Sequence, residues 1–113
     1  METRVKTRIW IQAFLRRTEG QGYMAVLIRR GDEDAGAVLI KVNRLELGCQ
    51  VYSQIRDEHG QLAWFAGTGS DLVPESEADA YIQRQAHYDA DLWVVEVEDP
   101  KANYGLSGPV VAV

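Results

Sequence analysis

Two apolar segments separated by a turn-rich loop constrain the fold of this 113-residue chain more than any other feature. Residues 23–30 and 37–44 are rich in β-branched and long aliphatic side chains, which favour strands. Between them, residues 31–36 read Gly-Asp-Glu-Asp-Ala-Gly, a composition typical of turns. The pattern predicts a β-hairpin. Because both segments are apolar on both faces near the loop, we expect them at the centre of a sheet.

The rest of the chain predicts two helices and three further strands. In chain order they lie over residues 4–18 (helix), 49–56 (strand), 61–66 (strand), 75–88 (helix) and 92–98 (strand). Gly20 and Gly22 follow the first helix and are typical helix stops. Pro74 suits the first turn of the second helix, and Ser76 with Asp79 resembles a capping box with Asp in place of Glu.

The resulting order, αββββαβ, predicts an α+β fold. We expect a mostly antiparallel sheet with the two helices packed on one face. No linker or repeat divides the sequence, so residues 1–99 are expected to form a single domain, followed by an irregular C-terminal tail over residues 100–113. Within that tail, residues 110–113 are either frayed or an added edge strand.

The net charge of −5 is unevenly distributed along the sequence. Residues 1–56 hold ten Lys or Arg against six acids, whereas residues 57–113 hold two bases against eleven acids. If the two halves occupied different faces, the domain would carry an electric dipole able to orient a charged partner or a second copy. The alternative is that the halves interleave in space and their fields cancel.

The composition favours a soluble cytoplasmic protein. Its longest apolar runs, residues 24–28 and 37–40, are far shorter than the roughly 20 residues that a membrane-spanning helix needs. Polar residues within the first helix interrupt what would be the apolar part of a signal peptide. Cys49 is the only cysteine, which excludes an intrachain disulfide and fits a reducing compartment. We expect its side chain to act as a small buried hydrophobe.

No motif for catalysis, metal binding or nucleotide binding stands out in the sequence, and no cofactor is expected. Residues 32–34 supply three carboxylates but lack the spacing of a calcium loop, so a solvated turn is expected there. Residues 67–70, Gly-Thr-Gly-Ser, lack the further glycine or lysine of a nucleotide loop and could form at most a weak anion site. His59 and His87 have acidic neighbours but no partner nucleophile.

The first helix carries two separate apolar arcs. One arc includes Trp10 and Phe14, and the other includes Val5, Ile9 and Ala13. If one arc packs on the domain's own sheet, the second is free to meet another subunit. The alternatives are a helix buried on two sides within its own domain, or a later helix start with residues 5–11 in a strand.

Basic side chains from the first half of the sequence form a second candidate surface. Together with Trp10 or Tyr23 they could converge into a patch that binds an acidic partner. These residues are Arg16, Arg17, Arg29, Arg30, Lys41 and Arg44. The sequence pI near 4.9 disfavours nucleic acid as that partner, so an acidic protein surface is the better expectation.

Four segments, residues 9–17, 30–43, 77–81 and 91–99, resemble a bacterial family of about this length. The family is found in alphaproteobacteria and is known as domain of unknown function 1491, or DUF1491. The resemblance covers nearly the whole chain in order, while the tail after Asp99 departs from the pattern. It implies a single bacterial cytoplasmic domain and brings no activity or site residues with it.

We therefore expect a non-catalytic interaction protein that forms a homodimer or binds an acidic protein, and that binds neither nucleic acid nor a membrane. The candidate binding residues are Trp10, Arg16, Arg17, Arg29, Arg30, Asp32, Asp34, Lys41, Arg44 and Trp93. The alternative is a small-molecule-binding protein or small enzyme with a pocket between the helices and the sheet. In that case His87 or Asp91 would be the first residues to test.

Overall fold

The computed structural model describes residues 5–111, which form two α-helices and one six-stranded mixed sheet. The helices are α1 (Thr7–Gly20) and α2 (Glu75–Tyr88). The strands are β1 (Met24–Arg29), β2 (Val38–Asn43), β3 (Cys49–Arg56), β4 (Leu62–Ala66), β5 (Trp93–Glu98) and β6 (Val110–Val111). The predicted α+β class is confirmed, and most strand pairs are antiparallel. The predicted element order is also found, with β6 added as an edge strand.

Strand β5 lies between β1 and β2, so the predicted hairpin is wrong. The sheet order is β1-β5-β2-β3-β4-β6, with β5 antiparallel to β1 and parallel to β2. The loop over residues 31–36 crosses the start of β5 instead of closing a tight turn. Gly31 and Gly36 are needed for that crossing, because a Cβ at either position would collide with the backbone carbonyl of Asp91.

The prediction that both apolar segments lie at the centre of the sheet is correct for β2 and wrong for β1. All six residues of β2 are buried, as is typical of a strand that is covered on both faces. Strand β1 is instead an edge strand, and β5 is its one partner among the residues that the structure describes. Its apolar side chains are therefore largely exposed.

The two helices cover opposite faces of the sheet, so the prediction that they share one face is also wrong. Helix α1 packs Ile11 and Phe14 on one face, and α2 packs Ala78 on the other. The physical reason is the two-sided apolar character of β2, where Ile40 faces the α1 side and Leu39 faces the α2 side. Each face needs its own cover, which gives three layers.

The acidic and basic halves of the sequence interleave in space. Of the two expected charge arrangements, the structure therefore has the interleaved one and not the one with the halves on different faces. Strand β5, from the acidic half, is inserted between two strands of the basic half. Buried cations of the first half then pair with acids of the second, as Lys41 does with Glu96 and Arg44 does with Asp99.

The bounds of α1 differ from the prediction at both ends, whereas those of α2 agree with it. Helix α1 begins at Thr7 and ends at Gly20, and residue 4 lies outside the described residues. Helix α2 has the predicted bounds, but its N-cap is Pro74 and no side chain caps it. The predicted capping box is therefore wrong. Asp79 instead bonds the Lys41 ammonium across the helix–sheet interface.

Residues 100–111, predicted as an irregular tail, pack against the sheet. Tyr104 is part of the core on the α1 face, and the indole Nε1 of Trp64 donates to the Ser107 carbonyl at 2.9 Å. Asp99 anchors this segment, because its buried carboxylate accepts from the Arg44 guanidinium at 3.0 Å and from the backbone amides of Asn103 and Tyr104. Beyond it, β6 pairs in parallel with β4.

Replacement of Asp99 tests this anchor. The substitution Asp99→Ala leaves the largely buried Arg44 cation without its partner, which is expected to lower the free energy of unfolding by about 3 kcal/mol. The matched control is Asp34→Ala, which removes an exposed ion pair to Lys6 and should change stability little. Urea unfolding of the three proteins measures both effects, and equal stabilities would contradict the anchoring role.

Candidate functional site

The outer edge of β1 is an apolar and unprotected strand edge. Three of its side chains, Met24, Val26 and Ile28, are 63, 47 and 54% exposed, and we call them the β1 stripe. Edge strands in stable monomers usually carry a charge or a proline that prevents pairing with another chain. From Met24 to Ile28 this strand has neither, and its one protective feature is a bulge after Leu27.

The β1 stripe faces the same side of the sheet as α2. Met24 lies opposite Glu98 and Val26 lies opposite Glu96 on β5, and directly opposed residues share a face. The neighbouring residue Ala25 packs instead against the core under α1. Helix α2 covers β2 and β3 but leaves β1 uncovered, so the stripe and both glutamates border solvent.

A cavity of about 420 Å³ separates the β1 stripe from α2. Its lining residues are Ile28, Lys41, Glu75, Asp79, Ile82, Gln83, Val94 and Glu96. Its apolar lining residues are Ile28, Ile82 and Val94, which we call the apolar wall, and the other five are polar or charged. Ile28 belongs both to the β1 stripe and to the cavity lining, so a segment lying along the β1 edge would lie beside this cavity.

Lys41 is the central charge of this site. Its side chain is only 5% exposed, and its Nζ lies 2.7 Å from Glu75 Oε2, 2.7 Å from Asp79 Oδ1 and 3.3 Å from Glu96 Oε1. The amide of Asn43 links two of these acids by donating to Glu75 and Glu96. Three carboxylates around one ammonium leave the site with an excess of negative charge.

The Lys41 ammonium is held in its charged form. Burial by itself lowers the pKa of Lys41, but hydrogen bonds to Asp79 and Glu75 and the charge of Glu96 outweigh burial and raise the pKa above its ordinary 10.5. A lysine in this state offers no free amine for nucleophilic or base chemistry. Its role in the fold is to neutralise acids between the sheet and α2.

Cys49 lies in the small core beneath α2 and is fully buried, which confirms the expectation of a small hydrophobe. Burial also raises the pKa of its thiol above the ordinary value. A buried thiol of raised pKa is poorly suited to act as a nucleophile.

The predicted basic patch is dispersed by the fold. Lys41 faces α2, whereas Arg44 donates to Asp99, to the Gln50 amide oxygen and to the Tyr104 carbonyl. Arg29 donates to the backbone carbonyls of residues 90 and 92. Arg30 pairs with the nearby Glu33 and lies over the Trp93 ring at 5.6 Å. These four cations are thus engaged inside the domain.

Arg16 and Arg17 remain exposed on α1. In the same helix Trp10 is half-buried and stacks on Phe14 with ring centroids 5.1 Å apart. Its side chain therefore packs against the core. Trp93 is buried and donates its indole N–H to the Asp32 carbonyl, which removes it from any contact surface.

The acidic loop over residues 31–36 is a hydrogen-bonded turn. The Asp32 carboxylate accepts from the backbone amides of Asp34 and Ala35. The Asp34 side chain is exposed and lies 3.6 Å from the Lys6 ammonium. Within residues 5–111, no group of His, Cys, Asp and Glu side chains is placed to hold a metal ion.

The second apolar arc of α1 is exposed, since Val5, Ile9 and Ala13 all contact solvent. The helix is therefore not buried on two sides, and residues 7–11 are helical and not in a strand. Over the same part of the chain, neither helix is long and apolar enough to cross a membrane.

The residues of the alternative, ligand-binding hypothesis lie apart from the cavity beside Lys41. His59 is exposed in the β3–β4 turn, where its nearest carboxylate is Glu58 at 3.5 Å. His87 packs edge-on against Tyr88 at the end of α2, and Asp91 lies in the turn after that helix. The loop over residues 67–70 borders a separate, smaller cavity with Tyr81.

Sequence reasoning missed the acids around Lys41 and the edge position of the β1 stripe. One signal for the acids was present, because Glu75 and Asp79 are four residues apart and share one face of α2. A lysine within an otherwise apolar strand also indicates a buried partner. No signal distinguished β1 from a central strand, because its residues are as apolar as those of β2.

This chain is similar in sequence and in fold to proteins of known structure. Residues 5–107 match the family described as "Protein of unknown function (DUF1491)". The chain belongs to the DUF1491 family. It is similar to the crystal structure of a DUF1491 protein from Caulobacter crescentus, with 38% identity, a TM-score of 0.82, and coverage of 96% of this chain and 100% of that one. The resemblance noted from the sequence is confirmed.

Two further structures share the DUF1491 fold. An NMR structure of a DUF1491 protein from Caulobacter crescentus is 38% identical, with a TM-score of 0.79 and coverage of 98% of this chain and 100% of that one. Protein Atu0922 from A. tumefaciens is 24% identical with a TM-score of 0.71, covers 86% of this chain and 87% of its own, and supports the fold alone. Among the curated proteins, none matches this sequence.

Replacement of Lys41 tests the electrostatic account of this DUF1491 site. The substitution Lys41→Met leaves three carboxylates facing one another and is expected to lower the free energy of unfolding by about 3 kcal/mol at pH 7. The matched control is Lys6→Met at an exposed position, where we expect little change. Chemical unfolding measures both, and equal stabilities of the two variants would contradict the account.

The stability difference between wild type and Lys41→Met should also depend on pH, and the pKa of Lys41 fixes the direction of that dependence. Because the pKa of Lys41 is raised on folding, its stabilisation is fully present below the unfolded value of 10.5 and is lost as the pH rises through the folded value. The stability difference between wild type and Lys41→Met should therefore be constant from neutral pH to about pH 10 and narrow above it. A stability difference that grows above pH 10 would contradict the conclusion that folding raises the pKa of Lys41.

Proposed function

We propose that this DUF1491 protein is a non-catalytic protein-interaction module that binds a partner strand along the outer edge of β1. The observation that carries the proposal is the free edge itself. No strand within residues 5–111 pairs with the outer side of β1, and the stripe exposed there is uncharged. Main-chain hydrogen bonds from an added strand provide affinity, and side-chain pockets beside it provide specificity. The cytoplasm is the proposed location, because the one cysteine is a reduced, buried thiol.

The cavity beside the stripe supports this mode of binding. A strand added to β1 would extend the sheet, and every second side chain would lie on the α2 side. There it would meet the apolar wall of Ile28 and Ile82 and the acidic border of Glu96 and Glu98. An apolar contact and a rim of charge are the two parts that a specific interface needs.

The cavity beside Lys41 also supports the alternative function, which is binding of a small molecule. A ligand bound there would contact Lys41 or its carboxylates, and not His87 or Asp91. A thermal-shift screen of metabolites and metal ions tests this alternative. A compound that raises the melting temperature by several degrees, and that fails to do so in Lys41→Met, would favour it over strand binding.

Selection of peptides from a random display library tests the proposed strand binding. The protein is immobilised at low density, so that copies cannot pair, and selected peptides should perturb the backbone NMR signals of β1. The variant Val26→Lys places an edge lysine opposite Glu96, which keeps the fold but discourages pairing. We expect it to bind the selected peptides about tenfold more weakly, a loss of about 1.4 kcal/mol.

The control for this experiment is Leu47→Lys. Leu47 is 60% exposed in the short 3-10 helix Leu45–Leu47, so the same chemical change is made at a similarly exposed apolar position remote from β1. Peptides that bind Val26→Lys as tightly as they bind Leu47→Lys would contradict the proposal. A library that yields no peptide perturbing β1 would contradict it as well.

A further inference from the structure

We infer that the strand added to β1 is β1 of a second copy, so that two chains form one continuous twelve-stranded sheet around a two-fold axis. This inference rests on the proposed strand binding and names its partner. It follows from the order of side chains along the free edge, from the cavity beside that edge and from the charges at its two ends.

Symmetry restricts the register of such a pairing. A two-fold axis perpendicular to the sheet makes the strands antiparallel and leaves both α2 helices on the same side. Directly opposed residues must share a face, and side chains alternate along a regular strand. Ile28 is the residue that the bulge leaves without a partner on β5, and it lies on the α2 face with Met24 and Val26 because it lines the cavity. An even-numbered stripe residue can therefore lie only opposite another even-numbered residue. The axis can then pass beside Ala25, Val26 or Leu27. An axis beside Ala25 would pair only residues 24–26 of β1 with the partner's β1, because the strand begins at Met24.

The register centred on Val26 opposes apolar residues throughout the strand. Val26 then lies opposite the partner's Val26, Met24 opposite the partner's Ile28, and Ala25 opposite the partner's Leu27. In the register centred on Leu27, Met24 and Ala25 would lie opposite the partner's Arg30 and the partner's Arg29. The structure therefore favours the axis beside Val26.

The cavity beside Ile28 has space for a side chain of the partner. Because Ile28 lines that cavity, the partner's Met24 lies beside the cavity in the Val26-centred register. Methionine is unbranched and adapts to irregular gaps. Each copy supplies one methionine and one cavity, so the contact is made twice.

The charges at the ends of β1 are compatible with this symmetry, although Arg29 and Arg30 already have partners within their own domain. Arg29 and Arg30 stand at one end of the strand, and Glu98 lies opposite Met24 at the other end. Antiparallel pairing brings the basic end of each copy next to the acidic end of its partner. The two Glu96 side chains are separated by three strand spacings of about 4.8 Å. That separation exceeds the physiological Debye length of about 8 Å, so their repulsion is weak.

The pairing of five residues per copy makes a small interface. It is expected to bury less than the roughly 800 Å² per partner of a standard stable complex, so the dimer should be reversible and form at high micromolar concentration. Sedimentation equilibrium between about 5 and 500 µM should therefore show the average mass rising from one chain toward two. Val26→Lys should remain monomeric over that range, while Leu47→Lys should follow the wild type.

Cross-linking by an engineered cysteine tests the register. In Val26→Cys the two new thiols face each other across the axis at a Cβ separation of about 4.5–5.5 Å, and mild oxidation should give a covalent dimer. In Met24→Cys, also exposed and on the same face, the new thiols lie four residues apart along the strands and should cross-link at least about tenfold more slowly. The buried Cys49 is common to both variants.

A monomer at every concentration, or equal cross-linking of the two cysteine variants, would overturn the inference. That outcome is distinguishable from failure of the proposed function. If selected peptides still bind β1 while the protein stays monomeric, the edge accepts strands but the partner is another protein. If no peptide binds β1, and Val26→Lys dimerises as the wild type does, then β1 neither binds partner strands nor forms the dimer contact. That outcome would contradict both the proposed function and this inference.

Discussion

The fold of this DUF1491 protein depends on the parallel pairing of β5 with β2. The first halves of both strands, residues 38–40 and 93–95, are buried and apolar on both faces, so their burial requires a cover on each side of the sheet. That requirement places α1 and α2 on opposite faces. It also brings acids of the second half of the chain beside cations of the first half, and it moves β1 from a hairpin position to the free edge of the sheet.

The elements could be predicted from the sequence, but their order in the sheet could not. Helical spacing and strand composition located α2 and β3 at their observed bounds. The loop at residues 31–36 misled the prediction, because its two glycines are as typical of a tight turn as of a close crossing over the backbone of Asp91. Composition does not distinguish these two uses of glycine, since the distinction depends on a strand more than 50 residues later.

The residues of the candidate site could not be predicted from the sequence. An interaction surface was expected, but its expected residues are mostly engaged inside the domain. Arg44 and Lys41 are paired with acids, and Trp93 is buried. The observed surface consists of ordinary aliphatic residues, and only the position of β1 in the sheet makes them exposed. That position is a long-range property, so no local pattern could reveal the β1 stripe.

Amide hydrogen exchange of the dilute protein tests the central claim, that β5 separates β1 from β2 and leaves β1 with one free edge. The account predicts slow exchange throughout β5. Along β1 it predicts an alternation in which only amides directed at β5 are protected, because the others have no partner. Uniform protection of every β1 amide in a monomeric sample would contradict it, since that pattern requires a second strand on the outer side.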